Sequence, residues 1–450
     1  MSWSRNLLFL PLGALLLHFP AQAEVASELR LLSDSFLSPA YNSGDQTTYQ
    51  FVGANFASDP ITLDPLKVDL RAAYAFGAPL MSYINIKELS YRIEVNDNQV
   101  FTMGRHRQRW SELDRRWNFG LIEPVFKWNP LSPESQGLTG LFWEVQTGWS
   151  RISLFGSFIY LPDQGPSFDI DSDGQFVRGN PWFRRPPESI HVMSEASQIE
   201  YNLDRPNDSQ VVLQSSYGVR LDVGEGTPYR ARLASLYKPM NQLALGYKKG
   251  ILSIPTDRAL VDVVPQVMYH NVTSGDAYYQ GQRLRFGVSA AYDRPTKDNR
   301  FQADWNRPIY SDAFLMSPFF DALIAKGWTL SVQHLSVRGG EISEEGPDAS
   351  PDRPSISSRY PYLQANAVSL EVDRRLTRSH RLIMKGSYTQ SEKNQFRLLR
   401  WEGRLEFSRL WSVQSELQLV DAAELTKDNR NEISEFNNND RLQVGVGYVF

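Results

Sequence analysis

The last nine residues, Leu442-Gln443-Val444-Gly445-Val446-Gly447-Tyr448-Val449-Phe450, decide the fold. A period of two residues collects the apolar side chains on one face, and these are Leu442, Val444, Val446, Tyr448 and Phe450. The other face carries small or polar side chains. A strand of this kind fits a barrel wall, with lipid outside and a lumen inside. The alternative is a buried last strand of a soluble sheet.

The N-terminus carries the pattern of a secretory signal peptide over residues 1–23. Arg5 precedes an apolar stretch over residues 7–19, and Ala21-Gln22-Ala23 supplies the small residues of a cleavage site. The stretch is too short to cross a bilayer as a stable helix. We therefore predict cleavage after Ala23 and a single domain over residues 24–450. Export together with a C-terminal aromatic strand favours the outer membrane of a Gram-negative cell.

The composition agrees with an exported barrel. The chain has no cysteine, so no disulfide holds it together. Its mean hydropathy of -0.40 gives no support for membrane-spanning helices. Aromatic residues make up 12% of the chain, enough for aromatic girdles at two membrane interfaces. The net charge of -4 is too small to predict a nucleic-acid partner.

Alternation of apolar and polar residues recurs along almost the whole chain. Examples are residues 66–76, 211–222, 229–238, 283–292, 400–407 and 411–419. We predict an all-β, transmembrane antiparallel β-barrel of about 18 strands (roughly 16 to 20), each of roughly ten residues. In a soluble sandwich the polar face would instead meet water outside.

The connections between these strands fall into two classes. Short ones are predicted at residues 239–241, 374–380 and 408–410. Long polar ones are predicted at residues 105–138, 162–195, 338–358 and 421–440. Short periplasmic turns and long extracellular loops are typical of outer-membrane barrels. The segment at residues 314–320 is open to two interpretations, a loop helix or a broken strand.

Residues 88–120 form the most distinctive segment. A strand with Tyr91-Arg92-Ile93-Glu94-Val95 and a turn at Asn96-Asp97-Asn98 lead into Gly104-Arg105-His106-Arg107-Gln108 and a polar loop with Asp114 and Trp117. This segment resembles porin-like barrels of the alginate-export (exopolysaccharide export) type. The resemblance implies an 18-stranded barrel with an arginine-lined channel for an anionic polysaccharide. It carries over the residues Arg105, Arg107, Arg109, Arg115 and Arg116.

Arginine suits such a channel because its guanidinium stays charged and binds carboxylates or phosphates as a planar fork. Arginines that line a narrow lumen select anions. Further inward candidates are Arg230, Arg232, Arg283, Arg285, Arg400 and Arg404. The alternative is that these arginines pair across strands and stiffen the wall, with partners among Asp69, Asp222, Glu402, Glu406 and Glu416.

A possible metal site is suggested by Asp169-Ile170-Asp171-Ser172-Asp173-Gly174. Alternating carboxylates before a glycine can converge on Ca²⁺, and the candidate ligands are Asp169, Asp171 and Asp173. The twelfth position of a complete calcium loop would hold Glu, whereas this chain has Asn180. The alternative is a solvated acidic turn. We predict no other cofactor.

Catalysis finds no support in the sequence. Beyond the signal peptide the histidines are His106, His191, His270, His334 and His380, and none lies in a nucleophile motif or a short metal-ligand pair. We therefore expect that this protein is not an enzyme.

Three functions follow from these observations. The first is passive export of an anionic polysaccharide, the second is a porin for small anionic or polar solutes, and the third is a structural or adhesive barrel. Expected partners are outer-membrane lipid, lipopolysaccharide and the barrel-assembly machinery. The assembly signal would be Tyr448 with Phe450. Export would add periplasmic polysaccharide-export components.

Overall fold

The computed structural model describes residues 25–40, 42, 46–58, 65–192, 195–204, 206–249, 258–296, 305–347, 358–377, 379–393, 395–423 and 432–450. The predicted signal peptide and its cleavage site lie outside the described residues.

Eighteen antiparallel strands form one closed barrel, which confirms the predicted fold class. Each strand pairs with its neighbour along the chain, and the last pairs with the first from Glu28 opposite Val449 to Phe36 opposite Arg441. Closure leaves no unpaired sheet edge. The strands are β1 Val25–Phe36, β2 Thr48–Ser58, β3 Leu66–Ala75, β4 Tyr83–Asn96, β5 Gln99–His106, β6 Leu138–Thr147, β7 Ser150–Ser157, β8 Ser216–Val223, β9 Tyr229–Pro239, β10 Tyr269–Gln280, β11 Leu284–Pro295, β12 Ala313–Ala325, β13 Trp328–Gly339, β14 Gln364–Arg375, β15 Arg381–Ser391, β16 Phe396–Glu406, β17 Trp411–Ala422 and β18 Arg441–Val449.

The alternation in the sequence separates the outer face from the inner face. In β18, Val444 is 46% exposed on the outside, whereas Arg441 is 2% exposed on the inside. Leu233 of β9 and Phe286 of β11 are likewise exposed outside. The barrel therefore presents apolar side chains outward and polar ones inward, as its sequence predicts.

The two ends of the barrel differ in loop length, also as predicted. One end has short turns such as residues 97–98 and 407–410, and both described termini lie there. The other end carries the long loops, among them residues 107–137, 158–215 and 340–363. The backbone N–H of Phe450 donates to the carbonyl of Ser27 (3.0 Å), which fixes the C-terminus beside β1.

Three local predictions need correction. Residues 314–320 lie within the continuous strand β12, because their side chains alternate regularly between the outside and the lumen. Residues 239–241 do not form a short turn. The side chain of Asn241 donates to the carbonyl of Ile122 (3.3 Å), which ties the chain into a long loop. Finally, β8 begins only at Ser216, because the preceding residues form a helix that starts after Asn207.

The long loops contain their own small elements. Strands Ser189–Val192, Glu195–Leu203, Arg258–Gln266 and Ala244–Lys249 form a four-stranded sheet at the long-loop end. Two-stranded pairs join Val125–Phe126 to Glu134–Ser135 and Arg307–Tyr310 to Ile342–Glu345. The helices are α1 Glu112–Trp117 and α2 Asp208–Val212, with 3-10 turns Pro79–Met81 and Glu432–Phe436. No helix among the described residues is long and apolar enough to cross a membrane.

Candidate functional site

Residues 107–137, called the inward loop below, fill part of the barrel lumen. Its helix α1 places Leu113 and Trp117 four residues apart, so they share one face, and Trp110 lies just before the helix. All three are buried, as are Ile122 and Leu131 farther along the loop. A loop with so much apolar surface is stabilised by packing against the wall. The main hydrophobic core therefore lies inside the barrel.

The inner wall meets the start of α1 with hydrogen bonds. The first N–H groups of a helix have no partner within it. Here the N–H of Glu112 donates to the carboxylate of Asp276 (3.1 Å), and the N–H of Leu113 donates to Ser289 Oγ (2.9 Å). At the other end of α1, the indole N–H of Trp117 donates to Ser317 Oγ (3.0 Å). The helix is thus fixed against β10, β11 and β12.

Glu112 is the centre of the charge contacts in this region. Its carboxylate lies 2.7 Å from Arg115, 2.8 Å from Arg285 and 3.9 Å from Arg232. Burial alone would raise the pKa of Glu112, but Arg115 and Arg285 outweigh burial and lower the pKa to about 2. Glu112 therefore stays ionised and joins the inward loop to β9 and β11.

The other arginines of the predicted cluster at residues 105–116 have varied surroundings. Arg105 is buried and donates to the carbonyl of Gly137 (3.1 Å). Arg107 pairs with Asp69 (2.8 Å), and Arg116 donates to Asp321 (3.0 Å). Arg109 is exposed, and among the described residues no carboxylate pairs with it. Within this cluster, Arg107, Arg115 and Arg116 therefore have carboxylate partners.

The wall arginines also differ from one another. Arg232 pairs with Asp222 (2.6 Å), and Arg404 pairs with Glu28 (2.8 Å). Arg230 is half-buried. Arg283 is exposed in the short turn before β11, outside the lumen, which corrects its predicted inward position.

Arg400 connects the opposite wall to the inward loop. Its guanidinium donates to the carbonyl of Leu131 (3.2 Å). Most of the predicted arginines therefore hold the loop or the wall, as the pairing alternative expects.

One buried carboxylate, Asp114, and one half-buried carboxylate, Glu123, organise the inward loop from within. Asp114 accepts the N–H groups of Leu121 (3.0 Å) and Ile122 (2.9 Å), which closes the chain after α1. Glu123 accepts the N–H of Gln108 (2.7 Å). Burial raises the pKa of Glu123 to about 7, and the hydrogen bond from Gln108 only partly opposes it. Glu123 therefore titrates near neutral pH.

The part of the lumen that the inward loop leaves open is called the lumen cavity. It has a volume of about 540 Å³ and lies against β14–β18, β1, β3 and β4. Charges of both signs line it. The basic residues are Arg30, Arg71, Lys385, Arg404 and Arg441, and the acidic residues are Glu134, Glu371, Glu402 and Glu416.

Lys385, Glu371 and Glu402 are the exposed charges in the lumen cavity. Lys385 on β15 lies opposite Glu371 on β14 and Glu402 on β16. Among the described residues none of the three belongs to an ion pair. Glu402 also faces Glu416 on β17, although like charges placed directly opposite destabilise a sheet. Exposed charge in a lumen interacts with whatever solute enters it.

The acidic segment at Asp169 forms a turn in a long loop. Asp171 Oδ1 accepts the N–H groups of Asp173 and Gln175 (both 2.9 Å), so this carboxylate caps the turn. Among the described residues, no group of three or more His, Asp or Glu side chains is arranged to hold a metal ion. Calcium binding stays a prediction, and proteolysis of this loop with and without chelator tests it.

Sequence reasoning missed the docking residues and several charges of the lumen cavity. Asp276, Ser289 and Ser317 dock α1, and Arg30 and Arg71 line the cavity. A signal for the two arginines does exist in the sequence. Each lies between two apolar residues, Leu29 and Leu31 or Leu70 and Ala72, so a period of two points it inward.

The comparisons with known proteins find similar solved structures but no family. No protein-family profile and no curated protein matches the sequence. Among solved structures, the chain is similar to OccAB4 of Acinetobacter baumannii, with 10% identity, 96% of this chain and 100% of that chain covered, and a TM-score of 0.42. OccK11 (OpdR) of Pseudomonas aeruginosa has 10% identity, 95% coverage of both chains and a TM-score of 0.43. OmpT of Vibrio cholerae, an outer-membrane protein, has 9% identity, 95% and 97% coverage and a TM-score of 0.36. Because these TM-scores are low, the assignment of the fold as a barrel depends on the strand pairing of this chain itself.

Proposed function

We propose that this protein is a passive channel of the outer membrane for small polar or anionic solutes. The observation that supports it is the lumen cavity, whose wall carries charges of both signs inside a closed barrel. Charged side chains along a pore lower the entry barrier for polar solutes, and dispersed weak sites let them leave again. The inward loop narrows the lumen, as expected for a barrel of about 18 strands that would otherwise be wide.

The membrane location is supported by the outer face. Alternate apolar side chains point outward on strands all around the barrel. At the short-turn end, the ring of Tyr448 stacks on the exposed ring of Phe450. We expect the purified protein to run as a heat-modifiable band from outer membranes. Deletion of Phe450 should reduce the assembled fraction, because its N–H and ring fix the strand that closes the barrel. Recovery of the deletion variant as a soluble periplasmic protein with full yield would contradict this location.

Export of an anionic polysaccharide is the other function that the sequence suggests. It would need a continuous cationic track, whereas Arg107, Arg116 and Arg232 are paired with carboxylates. Small-solute passage is therefore the better proposal. A purely structural or adhesive barrel would conduct no ions.

The test is ion conduction in planar bilayers. The parent protein should conduct, and its reversal potential in a KCl gradient reports charge selectivity. Lys385→Gln should shift the selectivity toward cations and Glu402→Gln toward anions, because the two exposed side chains lie side by side in the lumen cavity. Arg283→Gln, in a turn outside the lumen, is the matched control and should leave the potential unchanged. Absence of conductance in the parent protein contradicts the proposed channel function. Identical reversal potentials in all variants contradict a solute path through the lumen cavity.

A further inference from the structure

We infer that the long-loop end carries a binding pocket for a neutral saccharide, separate from the lumen cavity. The pocket is a cavity of about 690 Å³ between the segment around α2, the end of strand Arg258–Gln266 and Trp305. This volume falls in the usual range of small-molecule sites, roughly 300–1,000 Å³. All three segments belong to long loops, so the pocket lies at the barrel end away from the short turns.

The lining combines apolar surface with amide groups. Trp305 supplies the aromatic ring, and valine and proline side chains supply further apolar surface. Amides come from Asn207, Gln210, Gln214 and Gln266. A sugar has apolar C–H faces and hydroxyl edges, so it matches an aromatic face bordered by groups that both donate and accept hydrogen bonds.

The charge of the lining favours a neutral ligand. Asp204 is the only charged residue among the described residues that line the pocket. Among the described residues that line the pocket there is no lysine or arginine to offset a phosphate or carboxylate, which disfavours nucleotides and acidic sugars. A single carboxylate can accept hydroxyl hydrogen bonds from a neutral sugar. This composition contrasts with the lumen cavity, where charges dominate.

The polar groups are held in place before any ligand binds. Gln210 Oε1 accepts the backbone N–H of Asn207 (3.1 Å). Gln214 donates to the carbonyl of Gln210 (2.6 Å) and accepts from the hydroxyl of Tyr269 (3.0 Å). Such fixed amides lose little conformational freedom when they bind.

Trp305 is also fixed by packing. It is half-buried against a cluster of Met240, Ala244 and Met268 below the pocket. Support from one side leaves the ring rigid while part of it lines the pocket. A rigid aromatic ring contributes contact area at low entropic cost. The geometry is that of a preformed surface for a sugar ring.

Calorimetry with the full-length protein in detergent micelles tests the proposal. The probes are maltotriose, cellotriose, mannotriose and chitotriose, with trigalacturonate and adenosine as competitors of different chemistry. At least one neutral trisaccharide should bind at millimolar or lower concentration, and trigalacturonate and adenosine should bind more weakly. No binding by any neutral trisaccharide, or tighter binding of adenosine or trigalacturonate, overturns the proposal.

Variants locate the site. Trp305→Ala should weaken binding about tenfold or more, since it removes the stacking surface, and Trp305→Phe should restore most of it. Gln266→Ala should also weaken binding. The control is Trp149→Ala at the exposed short-turn end, which should bind like the parent. Equal affinity in Trp305→Ala and Trp149→Ala overturns the assignment. Should Trp305→Ala fail to assemble, Gln266→Ala decides in the same way.

The pocket and the proposed channel can fail separately. Trp305→Ala should keep the parent conductance in planar bilayers, because the pocket does not line the lumen. Neutral sugar can reach this end as free oligosaccharide or as the polysaccharide chain of lipopolysaccharide. Competition by lipopolysaccharide with a neutral chain, but not by a core-only form, assigns the surface chain. Absence of competition assigns the free solute.

Discussion

The two halves of the lumen differ in whether the inward loop covers their inner wall. Along β9–β12 the inner wall is covered by the inward loop, and its charges pair with that loop, as Arg285 does with Glu112. Along β14–β18 and β1 the wall faces the lumen cavity, where Lys385 and Glu402 stay exposed. The strands of both halves follow one alternating pattern. What differs is whether a loop covers the polar face, so the loop decides which half is core and which half is open lumen.

The largest effect is expected from a substitution of Glu112, which joins the inward loop to the wall. Glu112→Ala removes the nearest carboxylate of Arg285, whereas Arg232 keeps Asp222, so we expect a cost of about 1–3 kcal/mol of loop docking. The inward loop should then dock less tightly on the wall. We expect a larger and noisier single-channel conductance and faster amide hydrogen exchange over residues 107–137.

Acid should imitate this substitution in the parent protein. The pKa of Glu112 is lowered from 4.5 to about 2, so its stabilisation is present above about pH 4.5 and is lost as the pH falls toward 2. The control for Glu112→Ala is Glu94→Ala, which removes an exposed ion pair with Arg92. Amide hydrogen exchange over residues 107–137 in this control should match that of the parent. If Glu112→Ala keeps the parent conductance and exchange rates, the loop is not held by this contact.

A smaller effect is expected from Glu123, within the inward loop. Its pKa is raised from 4.5 to about 7, so the docked loop binds a proton more tightly than the released loop. Docking is therefore favoured below about pH 4.5 and weakens as the pH rises through about 7. Hydrogen exchange over residues 107–137 should accelerate between pH 6 and 8 beyond the intrinsic chemical rate, as expected for titration near neutral pH.

Glu123→Gln should remove this extra pH dependence. The amide keeps an acceptor for the N–H of Gln108, and it cannot ionise. Asp114 and Arg107 are the charged groups that also act on Glu123, and both remain in the variant. A variant with the same pH profile as the parent would assign the effect to another group.

The barrel could be predicted from the sequence because its signal is local. Period-two alternation fixes which face of each strand is apolar, and loop lengths fix the two ends. The inward position of Arg232 and Arg285 followed from the same rule. Arg105 lies inside the barrel although a period of two would place it outside, because Gly104 has φ +111 and interrupts the regular strand. A side chain at Gly104 would also collide with the carbonyl of Leu89.

The partners of these residues could not be predicted. Arg116 meets Asp321, and Asn129 meets Gln418, across more than two hundred residues of chain. Such contacts depend on how the inward loop crosses the lumen, and nothing local in the sequence encodes that path. The arginines of the loop are visible in the sequence, whereas Asp69 and Asp321, which pair with Arg107 and Arg116, lie on distant strands.

The most direct test of the central claim uses the absence of cysteine from the chain. Gln414→Cys places a thiol in the lumen cavity, and Ser289→Cys places one under the inward loop. A small anionic methanethiosulfonate reagent is then added during conductance recording in planar bilayers. We predict that the current through Gln414→Cys falls, while that through Ser289→Cys is unchanged. Block of Ser289→Cys alone, or of neither variant, would contradict a solute path through the open half of the barrel.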